Sequence, residues 1–355
     1  MEAVLLVGGQ GTRLRPLTAT TPKPMLPCAG VPFLTHQLVR LAEAGISHVV
    51  LATSYKAEVF AEHFGDGSAL GLALDYVTET VPLGTGGGIR NVADLLRSRP
   101  GEPVVILNGD VLSGHDLRAQ LDVHVHGAAE VTLHLVRVAD PRAYGCVPTD
   151  GEGRVTAFLE KAEHPVSDQI NAGCYVFRRA VIDAIPAGQV VSVERDTFPG
   201  LLARGGRVLG HVDDAYWLDL GTPEAFVRGS RDLVLGVLPS AAVPRPGEAV
   251  LDPTAMIAPG AVVGGGTAVG AGAVIAEGAL VSGSVLFDGA WVSGGAVVRD
   301  SIVGAGARIG ARAVLDGVLV GDRALVGADN ELAPGARVWT DAVLPDGTLR
   351  FSAPT

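Results

Sequence analysis

The chain has 355 residues, with 38 acidic and 27 basic side chains and a formal net charge of −11. This length exceeds one typical domain, so we expect two domains that each bury a core of their own. The negative charge argues against a nucleic-acid partner, and it means that an anionic substrate must be attracted by local positive charge.

The cysteines, Cys28, Cys146 and Cys174, are widely spaced and include no CxxC pair, which predicts neither a disulfide framework nor a zinc site and indicates a reducing compartment. The N-terminus carries Glu2 where a signal peptide has basic residues, and no apolar run approaches the length of a membrane span. We therefore expect a soluble, cytoplasmic protein with no membrane partner.

The first predicted element, residues 3–7, is a short apolar run typical of a buried strand. A glycine-rich segment follows it, reads GGQGTRLRPLT and ends in PKPMLP; we call residues 8–27 the signature segment. Its glycines, Gly8, Gly9 and Gly11, allow the backbone to turn sharply and to bring amide groups close to a phosphate.

Two basic residues of the signature segment, Arg13 and Lys23, supply the fixed positive charge that a polyphosphate requires. The Walker spacing does not fit this segment, and a dinucleotide fingerprint would need glycine at position 14, where the chain has Leu14. The segment therefore predicts a different kind of phosphate-binding loop.

The signature segment resembles that of the sugar-1-phosphate nucleotidyltransferases, and its PKPM ending is similar to the mannose-1-phosphate guanylyltransferase (GDP-mannose pyrophosphorylase) branch, in particular its actinobacterial form. The resemblance runs nearly end to end. It implies an enzyme that uses GTP, a sugar 1-phosphate and Mg²⁺, with Gly8, Gly9, Gly11 and Thr12 at the nucleotide and Arg13 and Lys23 as catalytic cations.

Helical and apolar segments alternate along the first half of the chain, which predicts a Rossmann-like α/β domain with a mostly parallel sheet. Ligands of such sheets bind at the carboxyl ends of the strands, where the signature segment also lies. The predicted helices cover residues 33–44, 57–64 and 89–96, and the predicted strands cover residues 48–53, 72–77, 104–107 and 130–138.

A second glycine-rich loop, with Glu79, Gly84 and Thr85, follows the predicted strand at residues 72–77. Guanine presents two adjacent donors on its Watson–Crick edge, and the two oxygens of one carboxylate can accept both. By analogy with a bidentate base contact, Glu79 could favour guanine roughly 5- to 150-fold. The alternative is that Glu79 is only a solvated loop carboxylate.

Two carboxylates are candidate Mg²⁺ ligands. Asp110 follows the strand at residues 104–107 in the sequence Asn-Gly-Asp, and Asp219 follows an apolar stretch just before a helix that Thr222 would cap, with Pro223 in its first turn.

The segment between residues 144 and 173 resembles the sugar-phosphate region of the family. The resemblance assigns sugar contacts to Asn108, Gly145, Glu160 and Asn171, and it gives Lys161 both the sugar phosphate and a catalytic role. Ala162 departs from the family pattern, which usually has proline after Glu-Lys. This departure leaves the roles in place but puts the rigidity of the loop in doubt.

Single aliphatic residues recur every six positions from Ile257 onward, with one-residue slips that make a coil of 17 residues. This periodicity predicts hexapeptide repeats, which resemble the left-handed parallel β-helix. We place a nucleotidyltransferase domain at residues 1–238, a linker at 239–250 and the β-helix at 251–345.

The predicted reaction is transfer of GMP from GTP to mannose 1-phosphate, by in-line attack of the sugar phosphate on the α-phosphorus with release of pyrophosphate. Alternatives are dTTP, UTP or ATP with glucose 1-phosphate, another sugar or cyclitol phosphate, and a non-catalytic nucleotide-sugar sensor. Acyl transfer by the repeats is disfavoured, because the last histidine, His211, precedes them. We expect the β-helix to form a homo-oligomer, a dimer or larger.

Overall fold

The computed structural model describes residues 1–54, 56–159, 164–243 and 245–350. Its contacts divide the chain into two compact units. The first unit comprises Met1–Gly9 and Gln37–Trp217, and the second comprises Gln10–His36 and the chain from Leu218 onward. Most of the signature segment therefore belongs to the same unit as the C-terminal repeats.

A seven-stranded sheet forms the centre of the first unit. Its strands, numbered in chain order, are β1 (Glu2–Leu6), β2 (His48–Thr53), β3 (Ala73–Thr78), β4 (Pro103–Asn108), β5 (Val131–Arg137), β6 (Gln169–Arg178) and β7 (Val208–Asp213).

The strand order is 7-5-6-4-1-2-3. All neighbouring pairs are parallel except those of β6, which runs antiparallel to β4 and β5. In the register of β1, Leu6 is level with Ala52 of β2 and with Asn108 of β4. The carboxyl ends of these strands therefore meet at one edge of the sheet, and the loops that follow them are neighbours.

Seven α-helices occur in the described residues. They are α1 (Phe33–Glu43), α2 (Glu58–Phe64), α3 (Gly84–Asn91), α4 (Leu117–His126), α5 (Arg179–Asp183), α6 (Phe198–Ala203) and α7 (Pro223–Val234). Short 3₁₀-helices span Thr12–Leu14, Leu17–Ala19, Lys23–Met25, Ser68–Leu70, Ala93–Leu95 and Pro141–Ala143, and a π-helical turn spans Val193–Thr197.

The helix predicted at residues 89–96 is wrong in its position. Helix α3 begins at Gly84 and ends at Asn91, and only a 3₁₀ turn, Ala93–Leu95, follows it. The glycine run is helical because tertiary contacts override its low helix propensity. The Val191 carbonyl accepts the N–H groups of Gly86 and Gly87, at 2.8 and 3.2 Å.

The core of the first unit is built from the apolar runs of the strands. Val4, Val50 and Ile106 are fully buried and pack with Tyr175 and Phe198. Near-continuous apolar runs are typical of parallel strands that are covered on both faces. The cysteines are buried free thiols, and burial raises the pKa of the Cys28 and Cys174 thiols to about 12.

The C-terminal part of the second unit is a β-helix of three parallel sheets, with six, six and five strands. The first sheet contains Ala249–Leu251, Thr267–Val269, Val285–Leu286, Ile302–Val303, Leu319–Val320 and Arg337–Val338. The second contains Met256–Ile257, Val274–Ile275, Trp291–Val292, Arg308–Ile309, Leu325–Val326 and Val343–Leu344. The third contains Val262–Gly264, Leu280–Ser282, Val297–Arg299, Val314–Asp316 and Glu331–Leu332.

The hexad aliphatics point inward and form the core of this β-helix. Val281, Val298 and Leu315 are stacked register partners, each fully buried. Hydrogen bonds between consecutive coils join residues 17 apart through the middle of the domain and 18 apart at its ends. The predicted 17-residue coil therefore holds for the middle coils, and the predicted fold class, an α/β sheet followed by a left-handed parallel β-helix, is confirmed.

Buried hydroxyls satisfy the backbone at the corner where the coil is shortened. Thr267 accepts a hydrogen bond from the Ser284 amide at 3.3 Å, Ser284 accepts from the Ser301 amide at 3.1 Å, and Ser301 accepts from the Val318 amide at 3.0 Å. Each hydroxyl thus satisfies a backbone amide that would otherwise be buried without a partner. No helix within the described ranges combines the length and the apolarity needed to cross a bilayer.

Candidate active site

The loops after β1 and β4 come together at the carboxyl edge of the sheet. Gly8 lies against the end of β2, because a Cβ there would be 3.0 Å from the Ser54 hydroxyl, which also accepts the Gly9 amide at 3.3 Å. Gly109 donates to the Leu6 carbonyl at 2.9 Å. A Cβ at Gly109 would be 2.7 Å from that oxygen, so the turn that presents Asp110 needs glycine.

The predicted sugar contacts Asn108 and Asn171 lie beside one another in the first unit. Gly173 has φ +78, and a Cβ there would be 2.9 Å from Asn108 Nδ2. The Asn171 amide donates to the Tyr175 hydroxyl at 2.8 Å and accepts the Gly173 amide at 3.0 Å. These contacts fix the orientation of Asn171 and leave its second hydrogen and lone pair for further hydrogen bonds.

Glu79 lies one residue beyond β3 and packs on helix α3. The Leu83 amide donates to Glu79 Oε2 at 3.4 Å, and a Cβ at Gly88 would be 2.7 Å from Oε1. Burial raises the pKa of the Glu79 carboxyl, and the Leu83 N–H offsets part of that rise. The carboxylate is thus bonded by the Leu83 amide and lies against Gly88, whose lack of a side chain leaves room for it.

The predicted nucleotide contacts Gly84 and Thr85 form the start of helix α3. A Cβ at Gly84 would be 2.7 Å from the Val191 carbonyl. The Thr85 hydroxyl donates to Glu194 at 3.0 Å and accepts the Val193 amide at 2.9 Å, so it anchors the loop to residues 191–194.

Gly145 lies next to Leu159, whose carbonyl would be 3.2 Å from a Cβ at position 145. The neighbouring Tyr144 packs edge-on against Trp217, with ring centroids 5.7 Å apart, and the Trp217 indole donates to the Ala172 carbonyl at 2.9 Å. Two further predicted contacts, Glu160 and Lys161, together with Ala162, lie outside the described residues.

The signature segment is held by its own side chains within the second unit. Gly11 has φ +56, and a Cβ there would be 3.0 Å from the Thr18 methyl and 3.1 Å from Lys23 Cβ. Thr18, which is buried, donates its hydroxyl to the Gly11 carbonyl at 2.9 Å. Thr12 begins the first 3₁₀ turn and is exposed.

Arg13 and Lys23 both approach the carboxylate of Asp219, from opposite oxygens. Arg13 Nη2 is 4.0 Å from Oδ2, and Lys23 Nζ is 4.0 Å from Oδ1. The Lys23 side chain is 10% exposed, whereas that of Arg13 is 63% exposed. Gly221 leaves room for the Arg13 guanidinium, because a Cβ at that position would overlap it. Two cations and one carboxylate therefore form a compact charged group.

The sequence matches two known family models. The family model for the nucleotidyl transferase covers residues 2–234, and a model for the GMPPB C-terminal domain covers residues 246–354. The chain belongs to the nucleotidyl transferase family. The family predicted from the signature segment is therefore confirmed, and the domain boundaries at 238 and 250 stay predictions.

Several relatives of this nucleotidyl transferase have curated names. The mannose-1-phosphate guanylyltransferase of Mycobacterium tuberculosis is 59% identical over 355 residues, which is 99% of this chain and 98% of the relative. A mannose-1-phosphate guanylyltransferase catalytic subunit beta from Drosophila pseudoobscura pseudoobscura is 36% identical over 72% of this chain and 70% of its own.

Among solved structures, HddC from Yersinia pseudotuberculosis is similar, with a TM-score of 0.57, 28% identity and coverage of 65% of this chain and 98% of its own. The same protein has been solved complexed with GMP-PN.

Nucleotidyl transferases of this family generally use a divalent metal. In the described part of the chain, no three His, Cys, Asp or Glu side chains are grouped as a protein-only metal cage would need. Mg²⁺ is instead usually held by one or two carboxylates together with substrate phosphates. Asp110 and Asp219 are donors of that kind, so the residues present fit this metal.

Sequence reasoning missed the residues that support the nucleotidyl transferase site. Ser54, Thr18, Tyr175 and Glu194 each orient a predicted contact through a hydrogen bond. Their signal in the sequence is weak, because a lone polar residue on a strand or turn has many uses. Only the folded chain shows which polar groups they meet.

Proposed function

We propose that this chain is a mannose-1-phosphate guanylyltransferase, which converts GTP and mannose 1-phosphate to GDP-mannose and pyrophosphate. The observation that carries this proposal is the 59% identity to the enzyme of that name over 99% of the chain. The charged group of Arg13, Lys23 and Asp219 supports it, because a polyphosphate substrate needs fixed cations in a protein of net charge −11.

Recognition of guanine is proposed for Glu79. Its carboxylate would accept the two adjacent donors of the base, and its position against helix α3 supports that role. Gly84 and Thr85 would shape the loop around the nucleotide, and the hydrogen bond from Thr85 to Glu194 would hold the loop in that shape. The complex of HddC with GMP-PN is a further support for a guanine nucleotide.

The proposed reaction is a single in-line displacement. An oxygen of the sugar phosphate attacks the α-phosphorus of GTP, the bond from that phosphorus to the β-phosphate oxygen breaks, and pyrophosphate leaves with the electron pair. Arg13 and Lys23 would bind the phosphates that leave and neutralise the charge that develops on them. Catalysis then consists of alignment and electrostatic stabilisation, with no covalent intermediate on the protein.

Contacts with the sugar 1-phosphate are proposed for Asn108, Gly145, Glu160 and Asn171, with Lys161 positioning the attacking phosphate. The hydrogen bonds that fix Asn171 support its part of this set. Gly8, Gly9, Gly11 and Thr12 are proposed to surround the nucleotide phosphates with backbone amides.

A bound Mg²⁺ would supply positive charge at the reacting phosphates. We propose Asp110 and Asp219 as the carboxylates that hold it. Asp219 would in addition keep Arg13 and Lys23 in place, since both cations lie 4.0 Å from its oxygens.

The test is to supply the purified protein with GTP, Mg²⁺ and mannose 1-phosphate and to measure pyrophosphate release. We expect the wild type to release pyrophosphate far faster than a Lys23→Ala variant does. A panel of GTP, UTP, dTTP and ATP, each with mannose 1-phosphate and glucose 1-phosphate, checks the substrates. Preference for another nucleotide would overturn the guanine assignment, and tight GDP-mannose binding without turnover would favour a sensor.

We also propose that the chain forms a homo-oligomer through the β-helix. One outward column of register partners on its second sheet supports this, and we call it the outer ladder: Met256, Val274, Trp291, Arg308, Leu325 and Val343. Met256, Trp291, Leu325 and Val343 are exposed large apolar residues, which are depleted on surfaces that face only water.

Light scattering of a Trp291→Glu, Leu325→Glu double variant tests this assembly. We expect a lower mass than that of the wild type, and equal masses would argue against the outer ladder as the interface. The cytoplasmic location stays a prediction.

A further inference from the structure

The second half of the signature segment lies against the last coils of the β-helix, within the second unit. Residues 15–20 form the stretch between the two catalytic cations, Arg13 and Lys23. Three independent contacts join this stretch to residues 321–337. The β-helix thus touches the part of the chain that must place both cations.

The first contact is a hydrogen bond from a hydroxyl to a carboxylate. Thr20 Oγ1 donates to Asp322 Oδ2 at 2.9 Å, although the two residues are 302 positions apart in the sequence. The other oxygen of Asp322, Oδ1, accepts the Ala305 amide of the preceding coil at 2.9 Å. Asp322 is also buried, so its carboxylate has a fixed position when it receives Thr20.

The second and third contacts are made at the other end of the stretch, by Arg15 and Pro16. The Arg337 guanidinium donates to the Arg15 carbonyl at 2.9 Å. A Cβ at Gly321 would be 2.8 Å from Pro16 Cγ, so the glycine lets the signature segment pack directly on the coil. Together the three contacts hold both ends of residues 15–20.

Displacement of residues 15–20 would reach the cations through Thr18. This buried side chain donates to the Gly11 carbonyl at 2.9 Å. Its methyl and Lys23 Cβ bound the space beside Gly11, at 3.0 and 3.1 Å from where a Cβ would be. A shift of Thr18 would therefore break or strain its hydrogen bond to Gly11, which lies beside Lys23.

We propose that Asp322 and Arg337 are positioning residues for the phosphate-binding part of the signature segment. They hold residues 15–20, and through them Gly11, Arg13 and Lys23, in the arrangement that binds the pyrophosphate portion of the nucleotide. The inference rests on the proposed function for its chemistry, and it gives the β-helix a role in the reaction in addition to the proposed assembly.

The β-helix offers a matched control for Asp322. Asp288 and Asp346 occupy equivalent turns, where each accepts an amide of the preceding coil, at 2.9 Å from Ala271 and 2.7 Å from Ala328. Asp288→Ala therefore removes the same turn hydrogen bond as Asp322→Ala without touching residues 15–20. Thr20 is exposed, so Thr20→Val removes the hydroxyl while preserving the shape of a surface side chain.

The experiment measures two quantities for the full-length chain and its variants. These are the KM values for GTP and mannose 1-phosphate, and the dissociation constant of inorganic pyrophosphate by calorimetry. For Thr20→Val and Asp322→Ala we expect roughly 3- to 30-fold increases in KM for GTP and in the pyrophosphate dissociation constant. KM for mannose 1-phosphate should stay within about 2-fold. Arg337→Ala should act in the same direction, by about 2- to 5-fold.

Asp288→Ala should lower thermal stability without changing either quantity, and Thr20→Ser should restore both to wild-type values. The double variant Thr20→Val, Asp322→Ala should raise the pyrophosphate dissociation constant no more than the more affected single variant, since both substitutions remove the hydrogen bond between Thr20 and Asp322. Equal effects of Asp288→Ala and Asp322→Ala, or unchanged pyrophosphate affinity in Thr20→Val, would overturn the inference. Pyrophosphate binding needs no turnover, so a loss of affinity in variants of a protein without guanylyl transfer would refute the proposed function alone.

Discussion

Residues 10–27 of the signature segment belong to the same unit as the β-helix, yet the two regions use their residues in opposite ways. In the signature segment each functional residue occurs once, as with Lys23 beside Asp219 and Gly11 beneath Thr18. In the β-helix each structural task recurs every coil, as with Val281, Val298 and Leu315 in the core. Substitutions in the first region should therefore change activity, and those in the core of the second should change stability.

The comparison also shows how a repeat can acquire a specific task. Asp322 performs the same turn function as Asp288 and Asp346, and in addition it receives Thr20. A residue of the repeat that stabilises its own turn, and also contacts a residue outside the repeat, can influence substrate binding.

The largest expected effect comes from Lys23→Ala. The Lys23 side chain is 10% exposed, its ammonium lies 4.0 Å from Asp219, and in the proposed reaction it supplies a preorganised charge at the phosphates. We expect kcat/KM for GDP-mannose synthesis to fall about 10²- to 10³-fold. Truncation of this nearly buried side chain should also lower the unfolding midpoint, because it leaves a cavity and removes a cation from Asp219. Steady-state kinetics are therefore measured well below the midpoint that thermal melting gives for the variant.

The control for Lys23 is Lys56→Asn, which should keep near-wild-type activity. Lys56 has a φ of 53, a conformation that asparagine tolerates. A loss of similar size in both lysine variants would contradict the assignment of Lys23.

Leu315→Ala is the matching change in the β-helix. Leu315 is fully buried in the stack of hexad residues, so truncation leaves a cavity. We expect a loss of about 3 kcal/mol in the free energy of unfolding, measured by denaturant titration. KM for GTP should stay at the wild-type value at denaturant concentrations below the unfolding transition. A raised KM would contradict the division into a region for activity and a region for stability.

Glu79→Gln should reduce the preference for GTP over ATP by about 5- to 150-fold in kcat/KM. The wild-type preference should also depend on pH. Burial raises the pKa of the Glu79 carboxyl, and only the carboxylate can accept both guanine donors. The preference for GTP over ATP is therefore complete at pH values above that pKa, and it is lost as the pH falls through the pKa.

In Glu79→Gln the nucleotide preference should be flat with pH, because the amide does not titrate in that range. Nucleotide competition assays between pH 5 and 8 give the comparison. A variant that kept the wild-type pH profile would show that another group titrates.

The smallest expected effect is that of Arg312→Ala. Arg312 forms a bidentate ion pair with Asp329 on the next coil, at 2.8 and 2.7 Å, and both side chains are on the surface. Exposed pairs contribute little, so we expect a loss below about 1 kcal/mol and unchanged kinetics. Denaturant titration at low and high salt checks this, and a large effect on KM would mean that coil contacts reach the signature segment by a route other than residues 321–337.

The sequence alone was sufficient for the fold class and the family. Hexad spacing is a local, repeated signal, and Val281, Val298 and Leu315 are buried as the pattern predicts. The glycines and basic residues of the signature segment are equally informative, because close approach to phosphate restricts which residue types fit. The helix at residues 89–96 was misplaced, since a glycine run carries no helical signal without its contact to Val191.

Only the tertiary structure decided which polar residues cooperate. Thr20 and Asp322 are 302 positions apart, and neither stands out among similar residues until the fold brings them to 2.9 Å. Asp219 could be predicted as a candidate metal ligand, but its distance of 4.0 Å from both Arg13 and Lys23 is a property of the folded chain. Local patterns determine secondary structure and repeats, whereas a contact between distant residues depends on the packing of everything that lies between them.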